Sequence, residues 1–405
     1  MKICYVTLGF VPAVKLGGPI QNAYHLTTNL ARRGHEVTIV CTNLAAKNEK
    51  LFSGTLRQKR SGVEVIYFDT HRLFPLGLHS FGLFVSPGMI KFFREELKGY
   101  DVVHIDGYRD FPSMIASYYA RKHAVPYVIQ PRGSMAITSS SLVAKRMFDV
   151  LLGKRMLQAC ALLIASSAQE ESAFCGVVPH GKETLRIYNG VDWTEFTNLP
   201  PRGKFRRRYG IHGRYLITYV GRLHAQKGID VLIKAMAIIR QRASSHLAIV
   251  GPDDGYKRKL SSLADKLGLR DSVIFCEALT GREKSEAYVD SDVVVYATPS
   301  ESFGMVPIEA AMCHVPAITS KGSACGEFLK RFEVGFTVPY GNPEALAIAI
   351  DSILERHTDV VRRVRGAAEG IRQALAWTVI AGEYELAYRS ALKPRIADAM
   401  ATEIS

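Results

Sequence analysis

Glu301 and Glu309 stand eight positions apart in the stretch Tyr296-Ala-Thr-Pro-Ser-Glu-Ser-Phe-Gly-Met-Val-Pro-Ile-Glu-Ala-Ala-Met312. Between them Phe303, Gly304, Met305 and Val306 lead into what reads as a helix start. Gly304 lets the backbone approach a ligand, and Pro307 suits a first helical turn. The preceding Asp292-Val-Val-Val-Tyr296 is β-branched and short, the pattern of a buried parallel strand. A helix beginning at the carboxyl end of such a strand offers free N–H groups and positive partial charge, which attract an anion such as phosphate. Carboxylates beside phosphate repel it, so Glu301 and Glu309 suit neutral hydroxyls, which a sugar and a ribose supply. They read equally well as a surface glutamate and a first-turn glutamate that favours the helix dipole.

A second pair of reactive types lies upstream. A strand at Tyr215–Val220 is followed by Gly221-Arg222-Leu-His-Ala-Gln-Lys227-Gly228 and a helix over 229–242. Arg222 and Lys227 flank one loop at a strand's carboxyl end. A guanidinium gripping with two prongs and an ammonium acting as a point charge suit a diphosphate.

The elements that must position these groups repeat along the chain. Lys2–Thr7 reads as a strand, a loop with Gly9, Gly17 and Gly18 follows, Pro19 opens a helix that Gly34 ends, and 37–41 is the next strand. The glycines do not spell G-x-G-x-x-G and Cys41-Thr42-Asn43 offers no acid for a ribose, which argues against a dinucleotide site. Residues 42–62 read as basic loop. A strand over 102–105 ends in His104-Ile105-Asp106-Gly107, and one over 126–130 runs into Pro131-Arg132-Gly133, where Arg132 could hold phosphate or an acidic acceptor. The charges of 145–157 read as the solvated face of a helix. Two βαβ openings imply two Rossmann-like domains.

Glu301-x7-Glu309 around Ser-Phe-Gly resembles the signature of the retaining, nucleotide-sugar-dependent glycosyltransferases of family 4, and the resemblance runs nearly end to end. It implies the GT-B fold, an α/β architecture of two Rossmann-like domains facing across a cleft. The domains would be 1–192 and 193–379, with a helix from about 380 to 405 packing back on the first. By resemblance, Gly221-Arg222-Leu…Lys227-Gly228 is the phosphate-binding loop, and Arg222, Lys227 and Glu301 form the catalytic set. Glu301 would hold the sugar's hydroxyls and Glu309 the ribose. Amides of Phe303, Gly304 and Met305, leading into Val306, would meet the diphosphate, and the loop at Leu279 corresponds to the nucleobase pocket. Gly17 and Gly18 match a glycine pair near the donor phosphates. His104 and Asp106 match a strand end that is often His-x-His, Asp106 replacing the second histidine. Arg132 stands where many relatives have histidine, and Asn189 opens an Asn-Gly-Val-Asp turn at the domain crossing. The donor is a nucleotide diphosphate sugar and no cofactor is implied.

Composition bounds the rest. The chain has 405 residues, a net charge of +14, 47% hydrophobic content and seven scattered cysteines, as expected of a two-domain globular protein in a reducing cytoplasm. Met1-Lys-Ile-Cys-Tyr-Val-Thr7 is a strand pattern and not a signal peptide. Residues 1–190 carry 23 Lys and Arg against 13 Asp and Glu, a net of +10. Without any nucleic-acid module in the sequence, a membrane surface or an anionic substrate is the expected partner of that half, beside a glycan or lipid-linked acceptor. The Phe, Leu and Gly-rich segment 73–93 reads as buried packing, as a cover for the site, or as a membrane contact. Asp290-Ser291-Asp292 has the D-x-D form of a metal site but precedes its strand, so it reads as an entry turn with no essential metal. A nucleotide-sugar epimerase and a non-catalytic binder of nucleotide sugar or anionic lipid are the rival readings.

Overall fold

The computed structural model describes residues 1–46, 49–74, 83–135, 142–174, 177–178, 181–239, 244–299 and 303–393. The chain divides into two units, Met1–Val191 joined by the chain from Leu375 onward, and Asp192–Ala374.

Unit 1 is built on strands β1 (Lys2–Thr7), β2 (Glu36–Thr42), β3 (Leu56–Arg60), β4 (Val63–Phe68), β5 (Val102–Asp106), β6 (Tyr127–Gln130), β7 (Leu162–Ala165) and β8 (Thr184–Arg186). They lie in the order β8-β7-β6-β5-β1-β2-β4-β3, all parallel except β3 against β4. The register sets Thr7 opposite Asp106 and Asp106 opposite Gln130, so these three side chains share one carboxyl edge. Alternate residues feed two cores: Cys4 and Val6 pack with Phe92, Phe93 and Tyr108, whereas Ile3 and Tyr5 pack with Leu26, Leu30, Trp377 and Tyr384. Both faces being covered explains why the parallel strands read as continuous apolar runs.

The helix Gly18–Arg32 packs on that second face through Ile20, Ala23, Leu26 and Leu30, spaced three and four apart. Beside it lies the helix Trp377–Ala391, which buries Trp377, Ile380, Tyr384 and Tyr388. Gly190 is obligatory there, because a Cβ at that position would sit 2.4 Å from the Trp377 ring. Residues 42–62, read as loop, contain the short strands Leu44–Ala46 and Glu49–Lys50 and the edge strand β3. The basic Leu-Arg-Gln-Lys-Arg of β3 hides a strand because an edge strand is guarded by charge. Of the 73–93 segment, Phe84, Met89, Phe92 and Phe93 are buried in the core, while 75–82 lie outside the described residues.

Unit 2 holds six parallel strands, β9 (Tyr215–Val220), β10 (Ser245–Val250), β11 (Val273–Cys276), β12 (Val293–Tyr296), β13 (Ala317–Ser320) and β14 (Gly335–Val338). Their order is β11-β10-β9-β12-β13-β14. The chain runs outward from β9 to one side and then returns to start again at β12, leaving a crevice at the carboxyl ends of this central pair, where open α/β sheets bind ligands. Asp290 and Asp292 at the entry to β12 are fully engaged within the unit. Asp290 accepts from the Gly203 and Arg206 amides and Asp292 from the Arg202 and Arg206 guanidiniums and the Leu216 amide.

Candidate active site

Two loops meet in the crevice of unit 2. The loop after β9 carries Arg222 and a single 3-10 turn, Ala225–Lys227, closed by Gly228 at φ 68°. A Cβ on Gly228 would approach the Ala297 carbonyl to 2.6 Å, so the glycine lets this loop lie directly on the exit of β12. Lys227 Nζ stands 5.8 Å from the centroid of the Tyr296 ring, and that ring stacks on Tyr219 of β9 at 6.1 Å. The ammonium therefore projects over the start of the stretch that contains Phe303, Gly304 and Met305. Phe303 is buried, Gly304 takes φ 78°, and Met305 precedes the helix Val306–Met312 with a proline in its first turn. Pro307 brings no N–H, and the Ile308 and Glu309 amides close the first turn by donating to the Met305 carbonyl. Glu301 lies outside the described residues.

Arg222 is pinned, which the motif alone does not reveal. Its Nη1 donates to Asp254 at 2.7 Å, and the Gly251–Gly255 turn is held alongside by amide bonds from Leu223 to Pro252 and from Asp254 to Leu223. Both partners are exposed, and an ion pair of that kind contributes only about 0–1 kcal/mol. Glu309 is more firmly set: Lys284 Nζ donates to one oxygen at 2.8 Å and the Tyr288 phenol to the other at 2.7 Å. Burial, and then the Glu309 carboxylate, hold the Tyr288 phenol far above its ordinary range, so it stays a donor. A carboxylate has about four acceptor positions, so Glu309 keeps capacity for a ligand hydroxyl after both bonds. Lys284 and Tyr288 come from the helix Gly281–Asp290, whose lead-in loop holds half-buried Leu279.

In unit 1 the expected site residues gather at the carboxyl edge, with two changes of role. His104 is a core histidine and not a substrate contact: it is fully buried, stacks on Tyr5 at 4.5 Å and shares a 3.0 Å hydrogen bond through Nδ1 with Tyr388. Burial first, and the Arg132 charge second, press its imidazole well below the usual range, so it is neutral. Arg132 is not a free anion receptor either. Its Nε donates to Asp106 at 2.6 Å and its Nη1 to the Asn189 side chain at 2.5 Å, so its charge is already compensated. Asp106 at the end of β5 is thus paired with Arg132 at the exit of β6. Arg132 takes φ 53°, and Glu170 holds the turn by accepting from the Gly133 and Ser166 amides. Asp106 Oδ2 and Arg132 Nη2 are buried without a protein partner among the described residues, an acceptor and a donor in one ion pair. Gly17 caps its helix at φ 101°, and Gly18 has open space where a Cβ would stand. Glu170, Lys284, Tyr288 and Asp254 carry no sequence signal of their own, because each reaches its partner only through the fold.

The family model for Glycosyl transferases group 1 matches residues 201–369, and that for the Glycosyl transferase 4-like domain matches 17–190. The chain belongs to the group 1, family 4-type glycosyltransferases. It is 26% identical over 407 residues to an uncharacterized glycosyltransferase, MJ1607, of Methanocaldococcus jannaschii, covering 97% of this chain and 99% of the relative. It is 28% identical to the D-inositol 3-phosphate glycosyltransferase of Thermobifida fusca, covering 75% and 73% respectively. The solved structure of Anabaena Alr3699/HepE in complex with UDP superimposes with a TM-score of 0.75 at 20% identity, covering 96% of this glycosyltransferase and all of that chain. That likeness fixes the GT-B fold class.

Proposed function

We propose that this glycosyltransferase moves a sugar, with retention of configuration and without an essential metal, from a nucleoside diphosphate to a hydroxyl of a glycan or lipid-linked acceptor. The observation that carries the reading is the contact of the Lys227–Gly228 turn with the exit of β12 at the central crevice. It brings cations and a helix start to one locus, the requirement for a diphosphate leaving group. Breaking the glycosidic bond builds charge on the departing phosphate, so Arg222, Lys227 and the Phe303–Met305 amides strengthen their hold in the transition state. Glu309, fixed by Lys284 and Tyr288, would take the ribose hydroxyls, and Glu301 those of the sugar. In unit 1 the spare donor and acceptor of the Arg132–Asp106 pair suit a sugar or acceptor hydroxyl, and Gly17 and Gly18 suit close approach of the donor. Retention without an evident nucleophile corresponds to front-side attack, the leaving phosphate accepting the acceptor's proton. The basic, aromatic-rich first half suits an acceptor of the kind used in bacterial cell-surface polysaccharide synthesis.

Melting the protein against UDP, GDP, ADP and their sugars tests the donor, since a ligand of the folded state raises the midpoint. One nucleotide is expected to stabilise and its sugar more so. No shift with any of them would reject the donor assignment. Glu301→Gln separates an enzyme, which loses turnover, from a binder, which keeps its output. Donor consumed without acceptor would point instead to an epimerase or hydrolase.

A further inference from the structure

Unit 1 carries an exposed apolar face on the segment after β6. The helix Leu142–Phe148 passes through a π turn, Asp149–Gly153, into the helix Lys154–Ala159. Val143, Met147, Val150 and Leu151 are 74%, 57%, 74% and 61% exposed, with Leu152 at 44%, all within ten consecutive residues. The opposite side is buried through Lys145, Phe148, Gly153, Met156 and Leu157. The five-residue step from Phe148 to Gly153 is that of a π turn. An α-helix would rotate about 140° out of phase over it, so the turn keeps one side inward and the other outward along the segment.

The face is rigidly mounted. Arg109, fully buried, donates to Asp149 at 3.0 and 2.7 Å and also to the Ser134 and Met135 carbonyls. A Cβ on Gly153 would meet the Tyr108 hydroxyl at 2.2 Å, and Phe148 packs edge-on to the Tyr108 ring at 5.5 Å. Asp149 is the segment's one acid and is turned to Arg109, so the exposed charges beside the apolar side chains are Arg146, Lys154 and Arg155.

We infer that this face docks on a bilayer bearing anionic lipid, the aliphatic side chains entering the acyl boundary and the three cations lying at the headgroups. Charge selects this occupant: a second copy would bring two sets of three cations together, whereas an anionic headgroup layer complements them. The inference stands apart from the catalytic reading, since no residue of the segment belongs to the donor crevice.

Flotation of the full chain with vesicles tests it. Binding is expected to phosphatidylcholine mixed with phosphatidylglycerol, weakly or not at all to phosphatidylcholine alone, and to fall as salt is raised. Replacing Arg146, Lys154 and Arg155 by Gln is expected to weaken binding about fivefold per cation. Val150→Asp with Leu151→Asp is expected to abolish it, while melting midpoint and nucleotide binding are unchanged. Equal flotation of wild type and both variants, or no binding of wild type to the mixed vesicles, overturns the inference. So does light scattering that finds a wild-type dimer converted to monomer by the aspartates, which would assign the face to self-association.

Discussion

At the scale of single residues, the side chains of the candidate site are held by partners that come from elsewhere in the fold. Lys227→Ala should cost on the order of 10²-fold in turnover, because its charge acts where the leaving group becomes most negative. Glu309→Gln should weaken donor binding about tenfold or more, and Tyr288→Phe by a few-fold, since one removes a charged acceptor and the other a single neutral donor. Calorimetric titration with the nucleotide distinguishes these, and equal effects would reject the view that Tyr288 serves only to fix Glu309. His104 gives a pH test. Its folded pKa lies below the unfolded value near 6.5, so the unfolded chain takes up a proton that the folded one refuses. Stability should therefore fall as pH drops below about 6.5, by up to about 1.4 kcal/mol per pH unit, and His104→Gln should flatten that limb in urea unfolding curves. The positions of Arg222 and Lys227 on the loop after β9, and of Glu309 in the first turn of the helix after β12, were legible because strand, loop and helix follow one another at short spacing. Asp254, Lys284 and Tyr288 were not, since the contacts they make span 21 to 32 positions of sequence.

At the scale of elements, two glycines of similar appearance have different duties. Gly228→Ala meets both a left-handed backbone angle and the Ala297 carbonyl, and should destabilise unit 2 by about 1–3 kcal/mol in thermal melts. Gly18→Ala meets no atom within 4 Å, so the fold should be untouched while the donor KM rises. A Gly18→Ala enzyme with unchanged KM would return that glycine to a plain turn. The helix Gly18–Arg32 was readable from Pro19 in its first turn and Gly34 just past its end. The edge strand β3 and the π turn were not. In the first, charge masks the alternation; the second depends on a local change of period that only the burial of Gly153 against Tyr108 discloses.

At the scale of the whole molecule, the second unit is one continuous stretch of chain and the first is assembled from both ends. The isolated fragment 192–374 should therefore fold cooperatively, with nucleotide affinity as the readout. A chain ending at Ala376 should lose unit 1. Burying Trp377, Ile380, Tyr384 and Tyr388 is worth about 1.5–3 kcal/mol each, which together rivals the ~5–15 kcal/mol stability of an entire domain. The closing helix also adds an electrostatic clamp: Glu385 accepts from Arg389 and from Arg33, bonds that hold its carboxyl down to about 2. Because this folded value lies below the unfolded one near 4.3, the clamp operates at neutral pH and is lost as acid approaches pH 2. Glu385→Gln should erase that acid limb.

The split construction of unit 1 also sets a timetable for the nascent chain. The helix Trp377–Ala391, which packs on the first unit's sheet, leaves the ribosome only after every residue of the second unit has emerged. At about 5–20 residues per second, roughly 10–40 s separate translation of Val191 from that of Tyr388. During this interval the newborn sheet has one side covered only by the helix Gly18–Arg32, a substrate for chaperones until Trp377–Ala391 has emerged.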